Sequence, residues 1–377
     1  MLERYREDLA KLAARDRLRA LAPRAGLDFA SNDYLALAES PELAAAASAA
    51  LARGVPIGAG GSRLLRGNHP EHEALEGEAA RFFGSESALY FSAGFSANEA
   101  LLATAPQRHD LILYDSLVHA SAHDGMRLSL AFSAKFPHND ASAAEEAIRA
   151  WRGKGGRGRV WIVVESLYSM DGDKAPLDDF SALAAKNEAF LVIDEAHATG
   201  VYGPGGRGLA ARFEGAENVV TLHTCGKALG VMGGLLCLPR ALRDFLINRC
   251  RPFIFATAPS PLVAAIVRGA LTLIERADDR RAALAARVAF AGEELRRVCG
   301  IEPSGSQIQP IVVGADSRAT TLAARMQAHG YDIRAIRPPT VPEGAARVRI
   351  ALTLHASEEE LARMIAHLGE ELGRLEP

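Results

Sequence analysis

One stretch of the chain, Phe190-Leu-Val-Ile-Asp194-Glu-Ala-His197, runs from an apolar segment straight into a carboxylate and a histidine. A short, fully apolar run is typical of a strand buried on both faces of a parallel sheet. Asp194 is the first polar residue and lies at the carboxyl end of this strand, the edge at which open α/β sheets bind ligands. The stretch therefore predicts a parallel sheet with a ligand site at its edge, although an aspartate that merely caps the next turn fits the same pattern.

The same pattern recurs on both sides of this stretch. Short apolar runs alternate with helical spacing from about Ser87 onward, namely Ala88 to Phe91, Leu111 to Tyr114, Val160 to Val164, Val219 to Leu222 and Leu235 to Leu238. This alternation predicts an α/β domain with a mainly parallel sheet. Past Pro261, long amphipathic stretches with two strand-like runs indicate a smaller α+β domain. We predict an N-terminal arm over residues 1–40, a large domain over 41–275 and a small C-terminal domain over 276–377.

Composition and charge exclude several classes of protein. Hydrophobic residues make up 49% and charged residues 24%, as in a packed globular chain. The net charge of -3 favours neither nucleic acid nor an anionic membrane as a partner. No apolar run approaches the ~20 residues of a membrane helix, and the first residues lack the apolar core of an export signal. Because the four cysteines also lack C-x-x-C spacing, we expect a cytoplasmic protein without a metal site.

Lysine is scarce in this chain and therefore informative. Six of the 43 basic side chains are lysine, and Lys227 is the only one after Lys186. It lies in Thr224-Cys-Gly-Lys227-Ala-Leu-Gly230, just beyond a predicted strand. Arginine cannot replace an amine nucleophile, whereas a lysine can be deprotonated by burial and can form a Schiff base. The scarcity and the apolar neighbours favour an amine held against a cofactor over a lysine in a surface turn.

Two further segments carry weaker signals. Ser92-Ala-Gly94-Phe95 follows a predicted strand and opens a helical stretch, so its free N–H groups could bind a phosphate, although many helices begin this way. It is neither a Walker A loop nor G-x-G-x-x-G, which argues against a nicotinamide oxidoreductase. His119 and His123 are spaced i, i+4 without a third metal ligand in evidence. For His119 a ring stacked on an aromatic ligand is the better functional interpretation, beside the alternative of a histidine on a helix surface.

Taken together, these residues resemble the α-oxoamine synthase family of fold-type I pyridoxal-phosphate enzymes. The family's motifs follow in order along almost the whole chain; they are Ser31-Asn-Asp-Tyr34, Gly58-Ala-Gly-Gly-Ser-Arg63, Ser92-Ala-Gly-Phe95, His119-Ala-Ser121, Ser169-Met-Asp-Gly-Asp173, Asp194-Glu-Ala-His197, Thr224-Cys-Gly-Lys227, Phe255-Ala-Thr257 and Ala346-Arg-Val-Arg349. The resemblance implies a pyridoxal 5'-phosphate-dependent transferase of that α/β fold. It also implies a homodimer with its active site at the subunit interface.

The resemblance assigns a role to each residue around the cofactor ring. Lys227 would form a Schiff base with pyridoxal 5'-phosphate and later move the substrate's Cα proton. Asp194 would pair with the ring nitrogen and keep it protonated. His197 and Ser169 would bond the phenolic oxygen, and His119 would stack on the ring.

The phosphate of the cofactor has its own implied partners. Thr224 and the N–H groups at Gly94 and Phe95 would hold it. Thr257 would reach the phosphate of the neighbouring subunit, which makes the homodimer a requirement.

The substrates implied are an amino acid and an acyl thioester. Arg349 and Asn32 would hold the amino-acid carboxylate, and Arg19 aligns with a family arginine near the acyl-donor pocket. The runs Gly60 to Leu75 and Leu117 to His123 are most similar to the branch of the family that condenses L-alanine with pimeloyl-CoA or pimeloyl-acyl carrier protein in biotin biosynthesis. Glycine C-acetyltransferase, 5-aminolevulinate synthase and serine palmitoyltransferase share the machinery and remain alternatives. A non-catalytic partner subunit of a heteromeric synthase is a further alternative, but it would be expected to lack the lysine.

Overall fold

A computed structural model describes residues 1–375 of the chain. Its strands are β1 (Leu27–Asp28), β2 (Ser87–Phe91), β3 (Leu111–Asp115), β4 (Phe132–Phe136), β5 (Val160–Glu165), β6 (Phe190–Asp194), β7 (Val219–Thr224), β8 (Gly234–Leu238), β9 (Ile308–Gly314), β10 (Tyr331–Asp332), β11 (Arg334–Ile336) and β12 (Ala346–Ala351). Its helices are α1 (Glu3–Ala13), α2 (Pro41–Ala52), α3 (Pro70–Phe83), α4 (Gly94–Thr104), α5 (Ala120–Leu128), α6 (Ala141–Gly153), α7 (Leu177–Lys186), α8 (Arg240–Arg249), α9 (Arg251–Ile254), α10 (Pro261–Glu275), α11 (Asp278–Glu294), α12 (Asp316–Ala328) and α13 (Glu358–Gly373).

The chain divides into two compact units. The larger unit consists of Leu35–Tyr168 and Lys174–Arg281. The smaller unit consists of Met1–Tyr34, Ser169–Asp173 and the chain from Ala282 onward. None of the helices within residues 1–375 has both the length and the apolar character needed to cross a membrane.

A seven-stranded sheet forms the centre of the larger unit. The strand order is β2-β8-β7-β6-β5-β3-β4, in which six strands run in the same direction and β8 runs in the opposite direction. Six of these strands coincide with the predicted apolar runs, whereas the edge strand β4 was not among them. The prediction of an α/β fold with a mainly parallel sheet is confirmed.

Helices cover both faces of this sheet, which explains why its inner strands β5 and β6 are apolar up to their last residue. On β5, Trp161 and Val163 pack in one apolar cluster with α4 and α5. The alternate residues Ile162 and Val164 pack in a second cluster with α6 and α7. Successive side chains of a strand point to opposite faces, so a strand between two helical layers must be apolar at every position.

The parallel strands bring their polar terminal residues to one edge. Glu165 at the end of β5 lies in register with Asp194 at the end of β6, and Asp194 lies in register with Leu222 of β7. The segments that follow these strands, and the one that follows β2, therefore meet at the carboxyl edge of the sheet. This is the edge at which the sequence predicts a ligand site.

The smaller unit is built around an antiparallel sheet of order β11-β12-β9, with β1 and β10 forming a separate parallel pair. β12 is the central strand, and its residue Arg349 lies opposite Arg334 on one side and Pro310 on the other. The backbone of Phe29 accepts a hydrogen bond from Ala351 N at 2.9 Å. The segment before Tyr34 is thereby held beside the strand that carries Arg349.

Candidate active site

A cavity of about 140 Å³ lies at the carboxyl edge of the sheet in the larger unit. The ends of β5, β6 and β7 and the first turns of α4 and α5 contribute its walls. Seven of the predicted site residues line it, namely Gly94, Phe95, His119, Asp194, His197, Thr224 and Lys227. The folded chain thus brings together residues that are up to 133 positions apart in the sequence.

The amine of Lys227 lies against an imidazole. Its Nζ is 2.7 Å from Nε2 of His197, a histidine that is 5% exposed. The turn that presents Lys227 closes with a hydrogen bond from Gly230 N to the Lys227 carbonyl at 2.8 Å. Gly230 has φ +67°, and a Cβ there would lie 2.5 Å from Ala38 N, so this position requires glycine. The backbone therefore fixes the lysine at the edge of the cavity.

Asp194 is buried, and both of its carboxylate oxygens accept hydrogen bonds. Oδ1 accepts from Ala196 N at 2.8 Å, and Oδ2 accepts from Asn98 Nδ2 at 2.7 Å. These two donors compensate for the loss of water around the carboxylate. Asn98 had no predicted role. Its position four residues after Gly94 places the two residues on the same face of α4, and this spacing was the available signal.

His119 caps the first turn of α5. Its Nδ1 accepts from Ser121 N at 3.3 Å and lies 2.8 Å from Ser121 Oγ, and its ring makes an edge contact with Phe95 at 6.0 Å. Burial lowers the pKa of His119 below the ordinary histidine value, and nearby Lys227 acts in the same direction against the opposing effect of Asp194. The ring is therefore neutral at pH 7, which suits an imidazole that packs against an aromatic ligand.

The first turn of α4 and the hydroxyl of Thr224 form a polar pocket wall. The helix begins at Gly94 without a side-chain cap, and the first N–H groups of a helix have no partner within it. A Cβ on Gly94 would lie 3.2 Å from Thr224 Oγ1, so glycine lets the helix start come close to this hydroxyl. Free N–H groups at the positive end of a helix, together with a hydroxyl, form a site for a phosphate group.

A separate polar cluster lies in the smaller unit around Arg349, which is 7% exposed. Its Nε donates to the Ser169 carbonyl at 2.7 Å, and its Nη2 donates to Asn32 Oδ1 at 3.0 Å and to the Tyr34 hydroxyl at 3.3 Å. Within residues 1–375, no carboxylate pairs with this guanidinium. A buried guanidinium ordinarily has an anionic partner, so Arg349 is a candidate for binding the carboxylate of a ligand. Tyr34 is a second neighbour of Arg349 that had no predicted role.

Five predicted site residues do not line the cavity. Two of them, Asn32 and Arg349, belong to the cluster just described, and the other three are Ser169, Thr257 and Arg19. Ser169 belongs to the smaller unit, where its carbonyl accepts from Arg349. Thr257 is exposed, and its backbone pairs with Ser62 of the same chain. Arg19 is exposed in a segment without regular secondary structure. The roles assigned to these three residues, like those of the other predicted site residues, stay predictions.

Comparisons with known proteins extend over nearly all of the chain. The family model described as aminotransferase class I and II matches residues 24–368. An 8-amino-7-oxononanoate synthase from Geobacter sulfurreducens is 40% identical over 351 residues, which are 91% of this chain and 88% of the relative. A solved serine palmitoyltransferase from Sphingomonas wittichii is 28% identical with a TM-score of 0.88, covering 99% of this chain and 98% of that one. A solved 8-amino-7-oxononanoate synthase from Francisella tularensis is 26% identical with a TM-score of 0.78, covering 93% and 98%.

Proposed function

The chain belongs to the class I and II aminotransferase family and, within it, to the α-oxoamine synthases, and from this premise we propose that it condenses L-alanine with a pimeloyl thioester. The products would be 8-amino-7-oxononanoate, carbon dioxide and the free thiol of the carrier, with pyridoxal 5'-phosphate as cofactor. The observation that carries the proposal is the 40% identity to a synthase of that name over 91% of the chain. This choice of substrates belongs to biotin biosynthesis.

The residues of the cavity fit pyridoxal 5'-phosphate group by group. Its aldehyde requires an amine, and of the six lysines Lys227 alone lines the cavity. Its ring nitrogen requires a carboxylate, which Asp194 supplies, and its phosphate fits the helix start at Gly94. The imidazole of His119 would pack on the ring. When bound, the cofactor supplies an electron sink for the negative charge that develops at the Cα atom of the amino acid.

The chain's own groups have distinct tasks in this reaction. Asp194 would accept the N–H of the cofactor ring, and its orientation is fixed by the donors on its two oxygens. Lys227 would hold the cofactor covalently and would later take the proton from Cα of the amino acid. His197, 2.7 Å from Nζ, can share that proton with the amine. A neutral His119 would stack without adding positive charge beside the ring.

The carboxylate of the amino acid would bind to Arg349, with Asn32 beside it. A planar guanidinium binds a carboxylate at two points, and Arg349 is buried with no anionic partner from residues 1–375. Its hydrogen bonds to Ser169 and Tyr34 hold the guanidinium plane in place before the substrate arrives. Arg19 would act near the acyl donor, as the resemblance implies.

We also propose that the active form is a homodimer. Thr257 is exposed and would contact the phosphate bound by the neighbouring subunit. Its backbone pairing with Ser62 brings the exposed Phe255 into the same region of the chain surface as the segment that carries Leu65, which is 84% exposed. Large apolar side chains that are this exposed are a feature of surfaces that bind another protein chain. Sedimentation of the holoenzyme at micromolar concentration should give twice the mass of the chain, and a monomer would contradict this part of the proposal.

The experiment that tests the activity is product identification by mass spectrometry. The purified chain with pyridoxal 5'-phosphate is incubated with L-alanine or glycine against pimeloyl, acetyl and succinyl thioesters, each carried by coenzyme A, and pimeloyl also by acyl carrier protein. We expect 8-amino-7-oxononanoate from alanine and a pimeloyl thioester, and no product from Lys227→Ala. A product only from glycine and a short-chain thioester would overturn the choice of substrates and retain the reaction class.

The structural similarity to serine palmitoyltransferase favours a second candidate. Its TM-score of 0.88 exceeds the 0.78 of the solved 8-amino-7-oxononanoate synthase. The same assay therefore includes L-serine with palmitoyl-CoA. A preference for that pair over alanine and pimeloyl-CoA would select the second candidate.

A further inference from the structure

Asn98 lies between two groups of the cavity that belong to different segments of the chain. It is 4% exposed, and its Nδ2 is 2.7 Å from Asp194 Oδ2 and 3.1 Å from Ser121 Oγ. An ionised carboxylate can only accept hydrogen bonds, so the amide must present its nitrogen to Asp194. The second N–H of the same nitrogen is then directed at the serine hydroxyl. The orientation of the amide follows from chemistry alone.

The hydrogen bond to Ser121 fixes the direction of the next one. Because Ser121 Oγ accepts from Asn98, its own proton is available for His119 Nδ1, which lies 2.8 Å away. His119 Nδ1 also accepts from Ser121 N, so this ring nitrogen is an acceptor and the ring proton is on Nε2. One amide group thus orients the carboxylate on β6 and, through a hydroxyl on α5, the neutral imidazole that caps that helix.

We propose that Asn98 is a positioning residue for the cofactor site. Its amide holds the Asp194 carboxylate toward the ring nitrogen of the cofactor and sets the tautomer of His119. The inference rests on the proposed function only in taking pyridoxal 5'-phosphate as the ligand of the cavity. Asn98 itself acts through Asp194 and Ser121. Its role therefore predicts a loss of cofactor affinity, which can be measured without any substrate.

The test compares Asn98→Ala with Asn98→Asp, and uses Asn248→Ala as the matched control. Asn248 is an exposed asparagine on α8 whose amide donates to its own helix at Asp244 O. The dissociation constant of pyridoxal 5'-phosphate is measured for each apoprotein from the visible absorbance of the bound cofactor. Because Asn98→Ala removes a hydrogen bond to a charged group, its dissociation constant for the cofactor should be roughly tenfold to hundredfold higher than that of the wild-type chain. Asn248→Ala should match the wild-type chain.

The aspartate variant gives a readout that a merely structural role would not produce. At neutral pH it places two carboxylates about 2.7 Å apart, and such a pair cannot both be ionised without a large cost. As the pH falls, the pair takes up a proton and can form the hydrogen bond again. Affinity relative to wild type should therefore recover in Asn98→Asp at acid pH and should not recover in Asn98→Ala. The groups that also face Asp194 are His119, His197, Lys227 and Glu165, and they are the same in all variants.

The outcomes separate this inference from the proposed function. Cofactor affinity equal to wild type in both Asn98 variants would overturn the positioning role, whatever product the wild-type chain makes. Equal losses of cofactor affinity in Asn98→Ala and Asn98→Asp at every pH would also overturn the positioning role. If wild type binds the cofactor yet makes no product from alanine and pimeloyl-CoA, the proposed function fails and the role of Asn98 is still measured. Circular dichroism of the apoproteins identifies a variant that has not folded, and the nearly isosteric Asn98→Asp then carries the test.

Discussion

Replacing Arg349 with alanine should weaken binding of the amino acid and leave binding of the thioester nearly unchanged. The Arg349 guanidinium uses Nε and Nη2 for partners inside the chain, and within residues 1–375 nothing accepts from Nη1. A carboxylate that fills this position forms a charge-assisted pair worth about 1.5 to 3 kcal/mol. The loss corresponds to a roughly 10- to 150-fold rise in KM for L-alanine. Arg349→Lys keeps the charge without the planar fork, so its KM should lie between those of wild type and Arg349→Ala.

Arg347 provides a matched control on the same strand. It is 4% exposed, and its Nη1 donates to Asp171 Oδ1 at 2.6 Å and to the Met170 carbonyl at 3.1 Å. Its charge already has an anionic partner, so Arg347→Ala should lower the free energy of unfolding without a selective change in KM for alanine. Steady-state kinetics with each substrate varied in turn, and thermal unfolding of each variant, measure both effects. An unchanged KM for alanine in Arg349→Ala would refute the carboxylate role, as would equal KM changes in the two variants.

Three further predictions concern the larger unit. Lys227→Ala should lose turnover and the visible absorbance of the bound cofactor but remain folded. Borohydride reduction of the wild-type holoenzyme followed by peptide mapping should label Lys227, and a label on another lysine would contradict the assignment. Asp194→Asn should reduce kcat/KM on the order of 10³-fold or more with little change in alanine binding, and near-normal turnover would exclude the role of the carboxylate at the ring nitrogen. Burial raises the pKa of Glu195 from the ordinary 4.5 to about 8, so between these pH values the folded chain retains a proton that the unfolded chain releases. The free energy of unfolding should therefore fall as the pH rises from about 4.5 through 8, by at most about 4 to 5 kcal/mol. Glu195→Gln should remove this pH dependence. The free energy of unfolding is measured by urea denaturation at several pH values for both proteins, and an equal change with pH in the two would contradict the raised pKa.

Six of the seven strands of the large sheet were predictable because burial on both faces leaves a continuous apolar run. The edge strand β4, which is mostly exposed and contains a serine and a lysine, has no such run. Asp194 was predictable for a related reason, since it is the first polar residue after a continuous apolar run. Lys227 was predictable because lysine is scarce in this chain and because it lies five residues beyond the run that ends at Leu222. Asn98 and Tyr34 were not assigned, because their roles depend on neighbours that are distant in sequence. Asn98 meets Asp194 across 96 positions and Tyr34 meets Arg349 across 315. Apart from the four-residue spacing of Gly94 and Asn98 on α4, no local sequence pattern indicates these contacts.

Asp194 and Glu195, two adjacent acidic residues at the end of β6, have different surroundings and different tasks. Asp194 faces the cavity and accepts from a side-chain amide and a backbone N–H. Glu195, the next residue, is fully buried; one carboxylate oxygen accepts from Ala210 N at 3.0 Å. A Cβ on Gly208 would overlap the carboxylate of Glu195, so the glycine-rich loop must approach it closely and with φ +101°. Because burial outweighs the hydrogen bonds of Glu195, its raised pKa keeps it largely protonated at pH 7, as a neutral anchor for that loop. Of the two neighbouring carboxyl groups, Glu195 therefore supports the loop, and Asp194 is the one that lines the cavity.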